Sequence, residues 1–269
     1  MPIRNVLSIA GTDPSGGAGI QADLKTFSAL GSYGMAVVTA LVAQTTTGVT
    51  AIHDVPASFV TAQLETLLGD VHVDAVKIGM LANTAVIEAV AAVLQRYNVG
   101  YAVLDPVMVA KSGDRLLAPD AVAALRELLL PRVDLITPNL PEAADLLGEA
   151  EATDEQALSE QAQRLLELGT PQVLVKGGHL SGSTSNDVLV WCGGRQWLSG
   201  ARVPTRNTHG TGCTLSSAIA ALRPQRDSWL EAASDAKAYL TGALLAADQL
   251  SVGEGHGPVQ HFHQWWGKA

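Results

Sequence analysis

What most constrains this chain is a rhythm. From its start to about residue 175, short aliphatic runs alternate with longer helical patterns. The runs at 6–10, 75–78, 101–104, 133–136 and 173–175 predict strands, and the apolar run at 35–42 predicts another. Helices are predicted over 20–30, 58–68 with Ser58 as N-cap, 84–97, 119–129 with Pro119 in the first turn, 142–147 and 155–168. Strands joined by helices lie parallel and are covered on both faces, so they read as unbroken aliphatic runs. The expected fold is therefore α/β with a mainly parallel central sheet. The rhythm then changes. Residues 187–192 and 196–198 flank Gly193-Gly194-Arg195, a hairpin signal. Helices over 211–222 and 229–249 follow, and then a Gly-, His- and Trp-rich tail.

A chain of 269 residues admits one large domain or two small ones. No Pro-, Ser- or Gly-rich linker divides it and no internal repeat is visible, so a single domain over 1–269 is expected, with a C-terminal arm at about 251–269. Hydrophobic residues make up 47% and charged residues 16%, which excludes intrinsic disorder. The net charge of −9 argues against nucleic acid as a partner but leaves room for one local anion site. Two cysteines are too few for a disulfide scaffold and fit a reducing compartment. No leader pattern and no apolar run of membrane-spanning length is present, so a cytoplasmic protein without a membrane partner is expected.

In an open parallel sheet, ligands bind beyond the carboxyl ends of the strands, and the polar and Gly-rich segments fall there. Gly11-Thr12-Asp13-Pro14-Ser15-Gly16-Gly17-Ala18-Gly19 resembles a phosphate loop but lacks the Lys-Ser/Thr of a Walker A motif. The helix after it offers amides to an anion, and Asp23, one turn in, is placed to point back at the ligand. The same residues would also serve as a plain strand–helix turn with a surface aspartate. Asn207-Thr208-His209-Gly210-Thr211-Gly212-Cys213 opens a small-residue helix, where consecutive amides form an anion nest. A thiol at a helix N-terminus has its pKa lowered, which makes Cys213 a candidate thiolate or general base; the alternative is a small buried cysteine on a close-packed helix. Cys192, in the hairpin beside Trp191, reads as structural.

Asn139-Leu140-Pro141-Glu142 offers an amide and a carboxylate to a magnesium–phosphate assembly, or an N-cap with its reciprocal glutamate. Lys176, before Gly177-Gly178-His179 at a strand end, can neutralise a triphosphate, or be a solvated turn lysine. Asp105, at another strand end, can hold magnesium directly or through water, or cap a turn. Lys111-Ser112-Gly113-Asp114-Arg115 is a candidate lid, or simply an exposed loop. Gln44 has the donor and acceptor that suit an aminopyrimidine edge, and Met80 an adaptable apolar wall; both also read as strand-end packing. His256, His261 and His263 lack partners at zinc spacing and read as a surface arm, anchored by Trp265-Trp266.

Taken together, these motifs resemble the hydroxymethylpyrimidine/phosphomethylpyrimidine kinases of thiamine biosynthesis, a branch of the ribokinase superfamily. The resemblance covers nearly the whole chain. It rests on the run from Ser8 through Gly11 to Asp23, on Lys77-Ile78-Gly79-Met80, Asp105-Pro106-Val107-Met108, Thr137-Pro138-Asn139-Leu140-Pro141-Glu142, Val175-Lys176-Gly177-Gly178-His179, and His209-Gly210-Thr211-Gly212-Cys213. It implies a ribokinase-like three-layer α/β/α fold, commonly a homodimer, and transfer of the γ-phosphoryl of ATP, with Mg2+, to 4-amino-5-hydroxymethyl-2-methylpyrimidine and then to its monophosphate. It implies Cys213 as general base, with Gly210, Thr211 and Gly212 as the anion hole. Asp105, Asn139 and Glu142 would form the magnesium and triphosphate shell, joined by Lys176 and Thr211. Gln44, Asp23, Gly11, Met80 and Val107 would line the pyrimidine pocket. Most sugar and pyridoxal kinases of the superfamily carry Asp where this chain has Cys213. Two other functions remain open at this point: a kinase of pyridoxal-type substrates, and a non-catalytic pyrimidine sensor on the same fold.

Overall fold

The computed structural model describes residues 2–109, 117 and 120–267. The chain runs β1 (Asn5–Ala10), α1 (Gly19–Ala29), β2 (Tyr33–Val38), β3 (Ala40–Gln44), β4 (Val49–Asp54), α2 (Ala57–Leu68), β5 (Ala75–Ile78), α3 (Thr84–Arg96), β6 (Tyr101–Leu104) and α4 (Ala121–Ala124). It continues with β7 (Leu135–Ile136), α5 (Leu140–Leu147), α6 (Glu155–Leu166), β8 (Gln172–Val175), β9 (Asp187–Trp191), β10 (Gly194–Leu198), α7 (Thr211–Leu222) and α8 (Trp229–Leu245). Eight strands form one sheet in the order β10-β9-β8-β7-β6-β5-β1-β2, and β3 and β4 form a separate hairpin. All neighbours from β8 to β2 are parallel, while β9 pairs antiparallel with both β8 and β10.

The strands show why this fold is layered. Successive side chains point to opposite faces, so Leu7, Val76, Leu104 and Val173 pack with α2 to α6, whereas Val6, Ala75, Val103 and Leu174 pack with α1, α7 and α8. Each aliphatic strand thus feeds two cores at once. On the second face α7 is built of small residues, and Ala218, Ala220 and Ala221 are fully buried between α1, α8 and the sheet.

Several expectations are corrected. The run at 35–42 is two strands, because Thr39 takes the chain out of the main sheet. Its amide donates to the Ala10 carbonyl at 3.0 Å and its hydroxyl to that of Met80 at 2.7 Å. Ala40 and Val42 of β3 are buried while Leu41 is exposed, so the hairpin covers the sheet's end with one face only. The predicted cap Ser58 lies inside α2, whose N-cap is Pro56. The helix expected over 119–129 is α4, a π-helical turn at Leu125–Leu129 and a 3-10 turn at Leu130–Arg132; Pro119 lies outside the described residues. The tail is anchored to the body through Trp265, as expected, but its His261 is not on the surface. Gln260 and His261 are buried, the Tyr239 hydroxyl donates to the His261 carbonyl at 2.7 Å, and Trp265 donates to the Ala29 carbonyl at 3.2 Å. Burial, helped by Lys25, pushes the His261 imidazole down to about 3, so it stays neutral. Among the described residues no group of three or more His, Cys, Asp or Glu is placed to hold a metal ion, and no helix is long and apolar enough to cross a membrane.

Candidate active site

The carboxyl ends of β1, β5, β6, β7 and β8 converge on the first turn of α7, and the β3–β4 hairpin leans over them. Between these lies a cavity of about 560 Å³. Gly11, Gln44, Met80, Asp105, Val107, Asn139, Glu142, Lys176, Gly210, Thr211, Gly212 and Cys213, all singled out in the sequence, line this one space.

At its centre sits a compact charged cluster. Lys176 Nζ lies 2.8 Å from Asp105 Oδ1 and 3.6 Å from Glu142 Oε2. Thr137 donates to Asp105 Oδ1 at 3.1 Å, and Ser216 of α7 to Oδ2 at 3.3 Å. Burial works against the charge on Asp105, but Lys176 and Lys77 outweigh it and hold its carboxyl below the usual range. Glu142 goes the other way: burial, with Asp105 adding to it, pushes its carboxyl up to about 7 despite Lys176. Asn139 and Glu142 form a complete capping box at the start of α5, with bonds of 2.7 and 2.9 Å. The capping reading of this pair is met, and the cap aims the carboxylate at Lys176.

Beside the cluster, Gly210 has φ +75°, and a Cβ there would stand 1.8 Å from the Gly17 carbonyl oxygen. Only glycine lets the two loops touch backbone to backbone. The amides of Thr211, Gly212 and Cys213 are the first of α7 and have no intrahelical acceptor. An apolar arm opens on the other side, where Val42, Met80 and Val107 form a small cluster. Gln44, the last residue of β3, closes this arm with its amide nitrogen 3.4 Å from His209 Nε2. The hairpin tip is tied to the tail: Gly255 N donates to Thr46 Oγ1 and His256 N to the Thr46 carbonyl, both at 3.1 Å.

Three expectations fail at the site. Asp23 does not line the cavity. It is fully buried beneath it, its oxygens 3.0 and 2.9 Å from Lys77 Nζ, and it accepts from Ser8 and Ser217 at 2.6 Å each. The loop after β1 does not present a row of amides to a ligand. Asp13 takes those of Ser15 (2.9 Å) and Ala18 (2.8 Å), and also pairs with His209 at 2.7 Å. The Cys213 thiol is not lowered: burial pushes it up to about 11, with Lys77 opposing and Asp23 and Asp105 adding. The candidate lid Lys111-Ser112-Gly113-Asp114-Arg115 lies outside the described residues.

Two features escaped the sequence reading. Lys77 stands in a quoted motif, yet was given no role; a charge inside the four-residue strand Ala75–Ile78 was the available signal. Lys237 of α8, which lines the far arm of the cavity, binds Asp187 at 2.6 Å across fifty positions, a pairing that no local pattern announces.

This fold, with a helix start of free amides facing a Lys–carboxylate cluster and a small apolar arm, defines a ribokinase-like small-molecule kinase. A Bacillus subtilis pyridoxal kinase, solved as an ADP complex, superposes with a TM-score of 0.91 at 35% identity, covering 98% of this chain and 100% of that one. The phosphomethylpyrimidine kinase of Clostridium difficile 630 superposes with a TM-score of 0.79 at 41% identity, covering 90% and 99%. The hydroxymethylpyrimidine/phosphomethylpyrimidine kinase of Escherichia coli K12 is 58% identical over 97% of this chain and 98% of its own length. The phosphomethylpyrimidine kinase family model matches residues 13–260, and the chain belongs to that family.

Proposed function

We propose that this chain transfers the γ-phosphoryl of ATP to the hydroxymethyl group of 4-amino-5-hydroxymethyl-2-methylpyrimidine, and then a second phosphoryl to the monophosphate. The observation that carries this is the meeting in one cavity of Cys213, the Gly210–Gly212 amides and the Lys176 cluster, next to an apolar arm ending in Gln44. Gln44, Gly11, Met80 and Val107 hold the ring, and Cys213 takes the hydroxyl proton. The α7 amides and Lys176 stabilise the transferring phosphoryl, which asks for charge and position rather than covalent help. Asp105 and Glu142, two hard oxygen donors side by side near the helix start, fit magnesium, directly or through water. Bound there, magnesium would neutralise triphosphate charge, and Asn139 fixes the Glu142 carboxylate that faces it. Turnover of the aminopyrimidine alcohol, its monophosphate and pyridoxal, each with ATP, tests the assignment. Product mass should show two successive additions on the pyrimidine, and a higher kcat/KM for pyridoxal would overturn the ring assignment.

The raised Cys213 pKa gives a pH prediction. Transfer to the alcohol needs the thiolate, which below a pKa of about 11 grows tenfold per pH unit. The single-turnover rate of the first step should climb accordingly from neutral pH upward. The second acceptor, a phosphate with pKa near ~6, is already ionised, so its rate should stay flat. A flat profile for both steps would remove Cys213 as the base.

The chain is further proposed to be one domain, unfolding in one cooperative transition, and to act in the cytoplasm, where its two unpaired cysteines stay reduced; cell fractionation checks the latter. A homodimer is supported by exposed Tyr33, Leu41, Ile52 and Phe59 around the hairpin and the β2 edge. Sedimentation equilibrium should give twice the chain mass, and Phe59→Glu should give monomers; a monomeric parent chain would overturn it.

A further inference from the structure

A buried ion pair that the transfer step does not use borders the cavity wall that also holds the proposed base. Lys77 is fully buried in β5, on the face of the strand opposite Val76 and Ile78, and its ammonium is gripped by both oxygens of Asp23. Ser8 from β1 and Ser217 from α7 donate to the same carboxylate, so four elements meet on it. Ser217 is one helical turn beyond Cys213 and so on the same face of α7, which sets the thiol above the pair. Lys77 and Cys213 both reach the cavity wall, whereas Asp23 does not. Gly79 leaves the space that the ammonium needs, since a Cβ there would lie 2.7 Å from Nζ. Such a pair is an expensive way to fill a core, because a hydrophobic replacement is often as stable.

We propose that Lys77 is a positioning residue, the counter-cation that admits the Cys213 thiolate, and that Asp23 competes with the sulfur for the same ammonium. The inference rests on the reading of Cys213 as base. When Cys213 takes the hydroxymethyl proton, its negative charge vanishes and Lys77 is left to Asp23 alone. When the thiol releases that proton to water, Lys77 is shared between sulfur and carboxylate. The other groups facing the sulfur are Asp105 from β6, the Lys176 ammonium beyond β8 and the Gly19 amide at the start of α1. Burial is the main influence raising the thiol's pKa; Lys77 is the largest one lowering it, and Asp23 raises it.

The two members of the pair should therefore act in opposite directions, which a merely structural ion pair would not do. The test is the pH dependence of iodoacetamide alkylation of Cys213 in a Cys192→Ser background, where it is the sole thiol. Asp23→Asn should speed alkylation at neutral pH about tenfold, and Lys77→Met should slow it about tenfold, one pKa unit each way. Should Lys77→Met fail to fold, Asp23→Asn/Lys77→Met removes both charges, and it should alkylate at least about tenfold more slowly than Asp23→Asn. Shifts in the same direction, or no shift in folded variants, would overturn the proposal. Because no substrate is present, the readout separates the two readings. Opposite alkylation shifts with an unchanged first-step kcat would leave the charge coupling standing and remove Cys213 as the base.

Discussion

Cys213→Ala is expected to slow phosphorylation of the alcohol by about a hundred- to ten-thousandfold, the usual contribution of a positioned proton acceptor. The change removes one sulfur from the first turn of α7 and keeps a good helix former in place. The neighbouring Gly210 and Gly212 need not move, so the anion hole and the Lys176 cluster survive. KM for the alcohol should hardly change, because the proposed ring contacts are Gln44, Met80 and Val107, which line the cavity away from the thiol's helix. The monophosphate reaction should fall less than about tenfold, since its acceptor oxygen carries a charge without help. Single-turnover rates for the two acceptors measured side by side decide it, and equal losses would show that the thiol serves something common to both steps.

Gly210→Ala should damage both steps alike, with losses in kcat of about a hundred- to a thousandfold, as when an oxyanion-hole donor is lost. Two penalties combine. A left-handed residue with a Cβ costs about 1–2 kcal/mol. The Cβ would also sit 1.8 Å from the Gly17 carbonyl oxygen, so the loops after β1 and before α7 must separate. Separation carries the Thr211, Gly212 and Cys213 amides away from the phosphoryl. Gly212→Ala is the built-in comparison. Its Cβ would meet the tip of Lys176 at 3.3 Å, which can bend aside, and Asp105 Oδ2 at an ordinary contact distance of 3.5 Å, and its φ is unexceptional. A milder loss is expected there, and equal kinetics for the two variants would refute the loop-contact account. The pattern also differs from that of Cys213→Ala, which separates the two acceptors where Gly210→Ala does not.

The sheet was readable because burial on both faces writes itself as unbroken aliphatic sequence, as in Val173-Leu174-Val175. The α7 helix was read to the residue, since Gly210 stops the chain before it and small residues run through it. The same logic hid the hairpin. Ala40-Leu41-Val42-Ala43 is apolar at every position, so the half-exposed alternation of β3 leaves no mark in residue type. At the site, each residue that ends a strand or opens a helix announced itself by position. Asp23 and Lys77 did not, because they meet across fifty-four positions and only the packing of α1 on the sheet decides which way Asp23 faces. The Cys213 pKa went wrong for a related reason. The helix terminus is a local feature that a sequence displays, whereas the burial that outweighs it, and the Asp23 and Asp105 charges that add to it, arise only when distant segments pack together.

The tie between Thr46 and Gly255-His256 has a consequence for how the enzyme comes into being. Vectorial synthesis delivers Gln44 early and every charged residue of the cavity before residue 253. The backbone that pins the tip of the hairpin is made after all of them. A nascent chain halted just short of that point carries the residues that line the cavity, and Thr12 already holds the base of the hairpin at Ala40 and Val42, but its tip at Thr46 still lacks its two bonds to the tail. The hairpin side of the cavity is thus the last part to be fastened, by main-chain amides of the tail.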